Sequence, residues 1–484
     1  MNPRLIFILL LPALCWLFSC SMGPDFKRPD LTIAPPETFL NTPHGELIEF
    51  QETDNWWQVF DDPEIDQLVV NVIQNNPDIQ TAAARVLEVQ SVFKQSRADQ
   101  YPVLNVNAEA GRQSYPAFNP LTGTTGTNIS DSYSLSLPAS FEIDLWGRLS
   151  RATESARARL LSAEENRRTV VQTLVAEAIS LYLNIESLER QIQIKHKNVD
   201  AYRQRLEIVE GRYRRGLTSI LDVRQASRVL AQAESQLPSL TATLGLQYQS
   251  LAILQGRYPK NNPPRKHAPD YFRLPPEVPP GLPSELITRR PDICAAEADL
   301  HSACALIGVA KAARFPRITL TGNFGYASDE LDSLFDPESE LWSIAAGGMQ
   351  PVFNAGKLAA AQRAAQARYE QALSNYSKTV LQAFAEVEGA LLTRKKQIER
   401  RNRLLTYRNE AAATLDVAND RYNRGLIDYL TVLDAQQVND EAEIGLIMVE
   451  YDILSNHVRL FRALGGGWDL KMTENPQEAD AKDT

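Results

Sequence analysis

The chain is 484 residues long, 44% apolar and 23% charged, with a formal charge of -10. That length suits about two or three domains, and the acidic balance gives the chain no reason to seek nucleic acid or an anionic membrane surface. Its five histidines lack ligand spacing, and no Gly-rich phosphate loop, nucleophile elbow or paired His/Cys constellation occurs, so neither a metal site nor catalytic chemistry is expected.

Residues 1–19 read as a lipoprotein signal peptide. Arg4 supplies the positive start, and Leu5 to Phe18 is an apolar run of about fourteen residues, short of the ~20 that span a bilayer. The run ends Leu17-Phe18-Ser19-Cys20, which resembles the bacterial lipobox, with Phe18 where a smaller residue is usual. Cys20 is therefore the expected lipidation site, and its covalent lipid the only added group, with no cofactor. Ser21, rather than Asp, fits lipoproteins sent to the outer membrane. Cys294 and Cys304 lie ~15 Å apart along one predicted helix, too far to bridge, and are expected to be buried. No later apolar run is expected to reach transmembrane length, so any membrane crossing requires strands closed into a barrel.

Residues 20–75 form a lipid-anchored N-terminal strap and equatorial segment. From Ser21 to Phe60 the chain is rich in Pro and polar residues and reads as extended, with Trp56-Trp57 and Phe60 as its anchor. Asp62-Pro63 and Asn76-Pro77 each place an N-cap residue before Pro, predicting helices over about 63–75 and 77–100.

Residues 76–256 and 285–467 are two copies of one pattern, offset by about 210 residues. Asn76-Pro77-Asp78-Ile79 returns as Arg290-Pro291-Asp292-Ile293, Tyr101-Pro102 as Phe315-Pro316, and Arg212-Tyr213-Arg214-Arg215-Gly216-Leu217 as Arg421-Tyr422-Asn423-Arg424-Gly425-Leu426. Each copy runs short helix, two strands, long helix, tight turn, helix. Pro-rich residues 257–284 read as an equatorial linker between the copies, and acidic residues 468–484 as a disordered tail.

Strands are predicted at about 103–113 and 133–143, and again at about 317–327 and 341–353. Tyr133, Leu135, Leu137, Ala139, Phe141 and Ile143 alternate with Ser134, Ser136, Ser140 and Glu142. Ile318, Leu320, Phe324 and Tyr326 alternate likewise with Thr319, Thr321, Asn323 and Gly325, a period of two that gives one apolar face. Asn119 to Asn128 and Ser328 to Glu340 read as exposed loops. Strands of about ten residues tilted ~45° reach ~24 Å, close to the apolar band of an outer-membrane barrel. Four strands cannot close one, so cyclic assembly would give eight, twelve or sixteen. The same sheet could otherwise lie on a soluble core.

The helical hairpins are predicted over 149–256 and 357–464. In the first, Val171, Leu174, Ala178, Leu181, Ile185, Leu188 and Ile192, then Val199, Tyr202, Leu206, Val209 and Tyr213, recur at steps of three and four, a heptad seam along a helix of about 95 Å. In the second, Phe384, Leu391, Ile398, Leu405 and Ala412 stand at sevens, while Arg394, Lys395, Lys396, Arg400, Arg401 and Arg403 read as a solvated face. Gly216 and Gly425 mark left-handed stops, Ser219 with Asp222 has capping-box spacing, and Asp428 can cap the second restart. Arg212, Arg214, Arg215, Arg421 and Arg424 crowd the turns, either compensating the helix dipole or meeting a partner.

Taken together, these motifs resemble the TolC family of outer-membrane efflux ducts, in its OprM/NodT-like lipoprotein branch. The likeness runs from Cys20 to Trp468, through Trp56-Trp57, Asn76-Pro77-Asp78, Phe141-Glu142-Ile143-Asp144-Leu145-Trp146-Gly147-Arg148, Phe353-Asn354-Ala355-Gly356, the two Tyr-x-x-Gly turns and Ala463-Leu464-Gly465-Gly466-Gly467-Trp468. The resemblance implies a mainly α fold with β strands: a long antiparallel coiled-coil helical barrel, with four strands per chain contributing to a trimeric twelve-stranded transmembrane barrel. It implies a lipid-anchored homotrimer in the bacterial outer membrane, its helical body in the periplasm, working with a periplasmic adaptor and an inner-membrane pump, most often of the RND type. It places a gate at the periplasmic tip: Leu430 and Asp434 as the narrowest apolar and acidic rings, Asp222 and Tyr422 joining the hairpins, and Gly216, Gly425, Arg215 and Arg424 at the turns facing the adaptor. Some relatives link the hairpins through an Arg and an Asp where this chain has Ile427 and Thr431, leaving Arg424 as the neighbouring substitute. The opposing reading is a periplasmic coiled-coil lipoprotein scaffold without a pore.

Overall fold

The computed structural model describes residues 21–29, 36, 38–41, 55–119, 123–260, 272–276, 278 and 283–466. The signal peptide, Cys20, the tail and most of the Pro-rich linker lie outside these. The helices are α1 (Pro63–Asn75), α2 (Pro77–Ala98), α3 (Arg148–Arg214), α4 (Ile220–Leu254), α5 (Pro283–Arg289), α6 (Pro291–Ala312), α7 (Lys357–Asn423) and α8 (Tyr429–Ala463). The strands are β1 (Val103–Leu104), β2 (Asn107–Asn119), β3 (Thr124–Ile143), β4 (Arg317–Ser328) and β5 (Glu340–Met349). The chain divides into two units, one of residues 1–30, 85–164 and 295–377, the other of residues 31–84, 165–294 and 378–484.

The first unit holds the sheet, in which β1 and β2 pair β3, β3 pairs β4, and β4 pairs β5, all antiparallel. β1 and β2 are one strand. Leu104 faces Ala139 and Asn107 faces Ser136 in a single register. Between them Asn105 N–H donates to Pro138 O at 3.0 Å, but Pro138 has no N–H to return. The sheet thus has four antiparallel strands in effect. β3 begins at Thr124, well before the expected 133, so much of the stretch read as a loop is strand. Thr125, Thr127 and Ile129 set β-branched residues at alternate positions there, a strand signal that polarity had masked. β5 stops at Met349, two residues short of Pro351.

In the same unit the strap lies along α6. Arg28 binds Glu297 through both carboxylate oxygens at 2.8 and 2.7 Å, Phe26 stacks on His301 with centroids 4.4 Å apart, and Cys304 Sγ lies 3.7 Å from Pro24 O. Gly23 (φ +103°) packs on Gly308 so closely that a Cβ on either would sit 2.5–2.6 Å from the other segment's backbone. His301 reaches Glu154 at 2.9 Å, and Arg151 joins Glu154 to Asp25. By length and composition α6 could cross a bilayer, which the sequence reading passed over. Its Glu297 and His301 are instead engaged with protein. Cys304 is buried as expected, whereas Cys294 is only half-buried.

The second unit holds both hairpin turns. Along α3 the predicted seam is buried at Ala178, Ile185, Leu188, Val199, Tyr202 and Val209, but Tyr213 is exposed. Between Val175 and Glu189 burial spreads around most of the helix, where Tyr182 O–H donates to Asp62 at 2.7 Å. Asn76 accepts from the Asp78 and Ile79 N–H groups and donates to Leu254 O at 2.9 Å, tying the start of α2 to the end of α4. Trp56 stacks on Phe461 at 5.0 Å.

On α7 the expected sevens are part of a wider seam. Leu391 is buried and Phe384, Ile398, Leu405 and Ala412 are half-buried, while Val380, Ala383, Val387, Ala390, Arg394, Ala411, Ala418 and Tyr422 are buried beside them, with Gln397, Arg401, Leu404, Arg408 and Leu415 half-buried on a three-four spacing. Arg394 is therefore no solvated residue. Its guanidinium donates to Pro275 O at 2.9 Å and Pro276 O at 3.1 Å, so its burial is compensated by carbonyl oxygens.

Candidate gate and channel surfaces

Both hairpins turn through one backbone device. Gly216 and Gly425 have φ of +74° and +73°. Leu217 N–H reaches Arg212 O at 2.9 Å and Gly216 N–H reaches Tyr213 O at 2.8 Å; Leu426 and Gly425 repeat the bonds to Arg421 O and Tyr422 O at 2.9 Å. These are paired Schellman stops. The restarts use the same chemistry in opposite order. Ser219 caps α4 by accepting from Asp222 N–H at 3.3 Å, while Asp222 accepts from Ser219 N–H at 3.1 Å. Asp428 caps α8 by accepting from the N–H and hydroxyl of Thr431 at 3.0 and 2.7 Å. Burial pushes the Asp222 carboxyl up, but hydrogen bonds from Thr218 and Ser219 outweigh it and hold it below the usual range.

Arg212 crosses between the hairpins. It donates to Tyr422 O at 3.1 Å, and its guanidinium lies 4.5 Å from the Tyr422 ring centroid, a cation–π contact. Val209, Ala226, Ala418, Tyr422, Tyr429 and Val432 form the core beside it. The Tyr422 hydroxyl is buried with no partner among the described residues, and Asp222 is engaged within its own turn, so no hydrogen bond joins these two. Leu430 and Asp434, one turn apart on α8, are both exposed and share a face. Arg215 donates to Gly211 O at 3.1 Å and Arg424 to Asp420 at 3.3 Å, each staying on its own helix. Ile427 packs on the tip core and Thr431 is held by Asp428, so the tie across the tip belongs to Arg212.

Two further ties join α3 to α8. Tyr202 O–H donates to Asp440 Oδ2 at 2.6 Å, and Gln436 donates to Asp440 Oδ1 at 2.8 Å. Glu450 accepts from Arg190 at 3.3 Å and Arg401 at 3.1 Å. Burial lifts the Asp440 carboxyl above its ordinary value despite the lowering influence of Tyr202 and Gln436. A seam of sevens through Leu433, Asp440, Ile447 and Leu454, all buried, is the signal that would have found Asp440.

The sheet of the first unit presents two unlike faces. On one, Leu137 faces Phe324, which faces Trp342, and Phe141 faces Leu320. This apolar face is uncovered, with Trp342 71% and Ile344 81% exposed. On the other, Ser136, Ser140 and Glu142 lie beside Thr319, Thr321 and Asn323. Aromatic residues rim both ends: Trp146 stacks on Phe315 at 4.9 Å and donates to Pro316 O at 2.8 Å, while Tyr326 meets Phe324 at 6.0 Å and Phe335 at 5.6 Å. Among the described residues β2 pairs only β3 and β5 only β4, so both sheet edges are open. No cluster of potential metal ligands occurs among those residues.

The profile of the family described as outer membrane efflux protein matches residues 68–257 and 282–466. The solvent efflux pump outer membrane protein SrpC of Pseudomonas putida is 32% identical over 470 residues, covering 95% of this chain and 97% of its own length. The cation efflux system protein CusC of Escherichia coli strain K12 is 32% identical over 453 residues, covering 93% and 97%. The solved structure of the outer-membrane channel OprN superposes with a TM-score of 0.84 at 29% identity, covering 93% of this chain and all of that one. Long helical hairpins, four effective strands and full-length likeness agree: the chain belongs to the outer membrane efflux protein family and is an efflux channel of the outer membrane, not an enzyme.

Proposed function

We propose that this chain is the lipid-anchored outer-membrane duct of a tripartite efflux system, closing its sheet by assembling as a homotrimer. The observation that carries the reading is the sheet: an uncovered apolar face, a hydroxyl-rich opposite face and two open edges. Open edges are unstable in lipid unless paired, and pairing with other copies leaves the apolar face to the bilayer and the hydroxyls to a water-filled lumen. The four effective strands leave several cyclic closures open; the TolC resemblance supports three. Met22 N–H donates to Trp146 O at 3.0 Å, three residues beyond β3, which supports an acylated Cys20 entering the membrane beside the sheet's end. In this reading the lumen passes cargo without chemistry, and an adaptor and an inner-membrane pump supply the driving force. Relatives named for solvents and for cations indicate small-molecule or ion cargo.

The gate is assigned to the helix tips, with Leu430 and Asp434 lining the constriction, Asp222 and Tyr422 stabilising the closed hairpins, and Arg215 and Arg424 beside Gly216 and Gly425 meeting the adaptor. Opening breaks a few tip contacts of ~1 kcal/mol each where exposed, offset by adaptor binding. The test is single-channel conductance in planar bilayers of wild type beside the Asp222→Ala, Asp434→Ala double variant. Small wild-type steps that grow in the variant support a duct gated at the turns. Absence of steps from both, with insertion verified, favours the poreless scaffold.

A further inference from the structure

Of the three ties between hairpins, the middle one has an empty space beside it. A cavity of about 560 Å³ is lined by Lys195, Asn198, Tyr202, Gln232, Asp440 and Glu441 among others. Val199, Tyr202, Val229, Ala233 and Leu433 form an apolar cluster that reaches its wall, and further along α8 Glu450 is held by Arg190 and Arg401. Asn198 stands four residues before Tyr202 on α3 and so on the same face. It is 5% exposed, and its side-chain NH2 has no partner among the described residues. Asp440 is therefore held by one α3 donor while a second, unoccupied donor waits one turn along the same helix, with Lys195 on the next turn.

We propose that Asp440 is a two-position latch between the hairpins, bonded to Tyr202 in the closed state and to Asn198 after α8 shifts by one helical turn along α3. The proposal rests on the duct reading and is separate from the tip contacts. A one-turn shift is about 5.4 Å, and packed helix interfaces move between such discrete positions rather than by continuous sliding. The cavity supplies the room, and Asn198 and Lys195 keep the carboxylate satisfied on arrival, so its charge is not left bare in a buried site. Arg400 from α7, which also lines the cavity, adds positive charge on the same side.

The two donors predict opposite signs. In planar bilayers Tyr202→Phe removes the closed-state bond and should raise open probability about tenfold, the effect expected for one hydrogen bond to a charged group. Asn198→Leu removes the open-state donor and should lower open probability and shorten openings. Tyr202→Phe combined with Asn198→Leu should bring open probability back toward the wild-type value, because the two donors hold one carboxylate in opposite states. Unchanged thermal unfolding midpoints by circular dichroism separate these effects from misfolding. If Tyr202→Phe does not assemble, Asn198→Leu is read alone, and an open probability at or above the wild-type value overturns the latch. Equal signs for Tyr202→Phe and Asn198→Leu, or a double variant further from wild type than either single variant, overturn the latch. Wild-type steps unaltered by every variant overturn the latch alone, whereas no wild-type steps overturn the duct and the latch with it.

Discussion

His457 is fully buried beside a guanidinium, and the pair is stable only because the imidazole stays neutral. Its Nδ1 lies 3.3 Å from Arg394 Nη1, with Phe60 and Phe461 packed against the ring. Burial, then the Arg394 charge, push its pKa down to about 3. The unfolded chain holds the histidine proton below a pKa of about 6.5, so between that value and about 3 it binds a proton the folded chain does not, and stability falls as pH falls, by about 1.4 kcal/mol per unit. His457→Leu should flatten this slope; parallel denaturation profiles for wild type and variant between pH 7 and pH 5 would refute the assignment. Neither residue's role was legible in the sequence. Arg394 occupies a seam position, but a search for apolar periodicity discards an arginine, and the carbonyls of Pro275 and Pro276 that compensate its burial lie over a hundred positions away. Tyr202 was readable as seam for the same reason that Asp440 was not.

At the scale of elements, local chemistry was read well wherever a bond closes within a few residues. The glycine stops, the Pro-initiated helices and the caps at Ser219 and Asp428 all depend on neighbours in sequence. The turns share their backbone geometry although Ser219 and Asp222 in one become Asp428 and Thr431 in the other, so the carboxylate has moved from the third helical position to the cap. The amide bond to the cap side chain is retained, the reciprocal bond of the first turn is not, and the site of negative charge shifts. An added Cβ at Gly216 or Gly425 meets nothing within 4 Å, so alanine there should cost only the left-handed penalty, about 1 kcal/mol each and nearly equal. Gly308→Ala drives a Cβ to 2.6 Å from Met22 O and should cost more, about 1–3 kcal/mol. Thermal unfolding of the three variants gives the order; a Gly308→Ala chain as stable as Gly216→Ala would contradict the close strap packing. Strand ends were less legible, because β3 continues through Thr and Ser positions whose pairing with β2, rather than their hydropathy, makes them strand.

For the whole molecule, the sheet register divides residues that neighbour one another in sequence between two environments. Ile344 lies on the face assigned to lipid and Ser343 on the face assigned to the lumen. Lysine at 344 should lower recovery in the outer-membrane fraction, with a cost of about 2–4 kcal/mol near the midplane, while lysine at 343 should leave insertion intact and shift ion selectivity. Equal recovery for Ile344→Lys and Ser343→Lys would remove the lipid assignment. The alternation behind this division was readable from Tyr133 to Ile143; the open edges were not, since they depend on which strands pair. The strap on α6 also bears on how the chain is made. Residues 21–28 leave the ribosome early, yet the helix that grips them arrives about 270 positions later, so this segment is among the last to be seated. Until α6 has been synthesised and folded, that segment has only the Trp146 carbonyl and Arg151 to close upon, so its full seating waits on the second half of the chain.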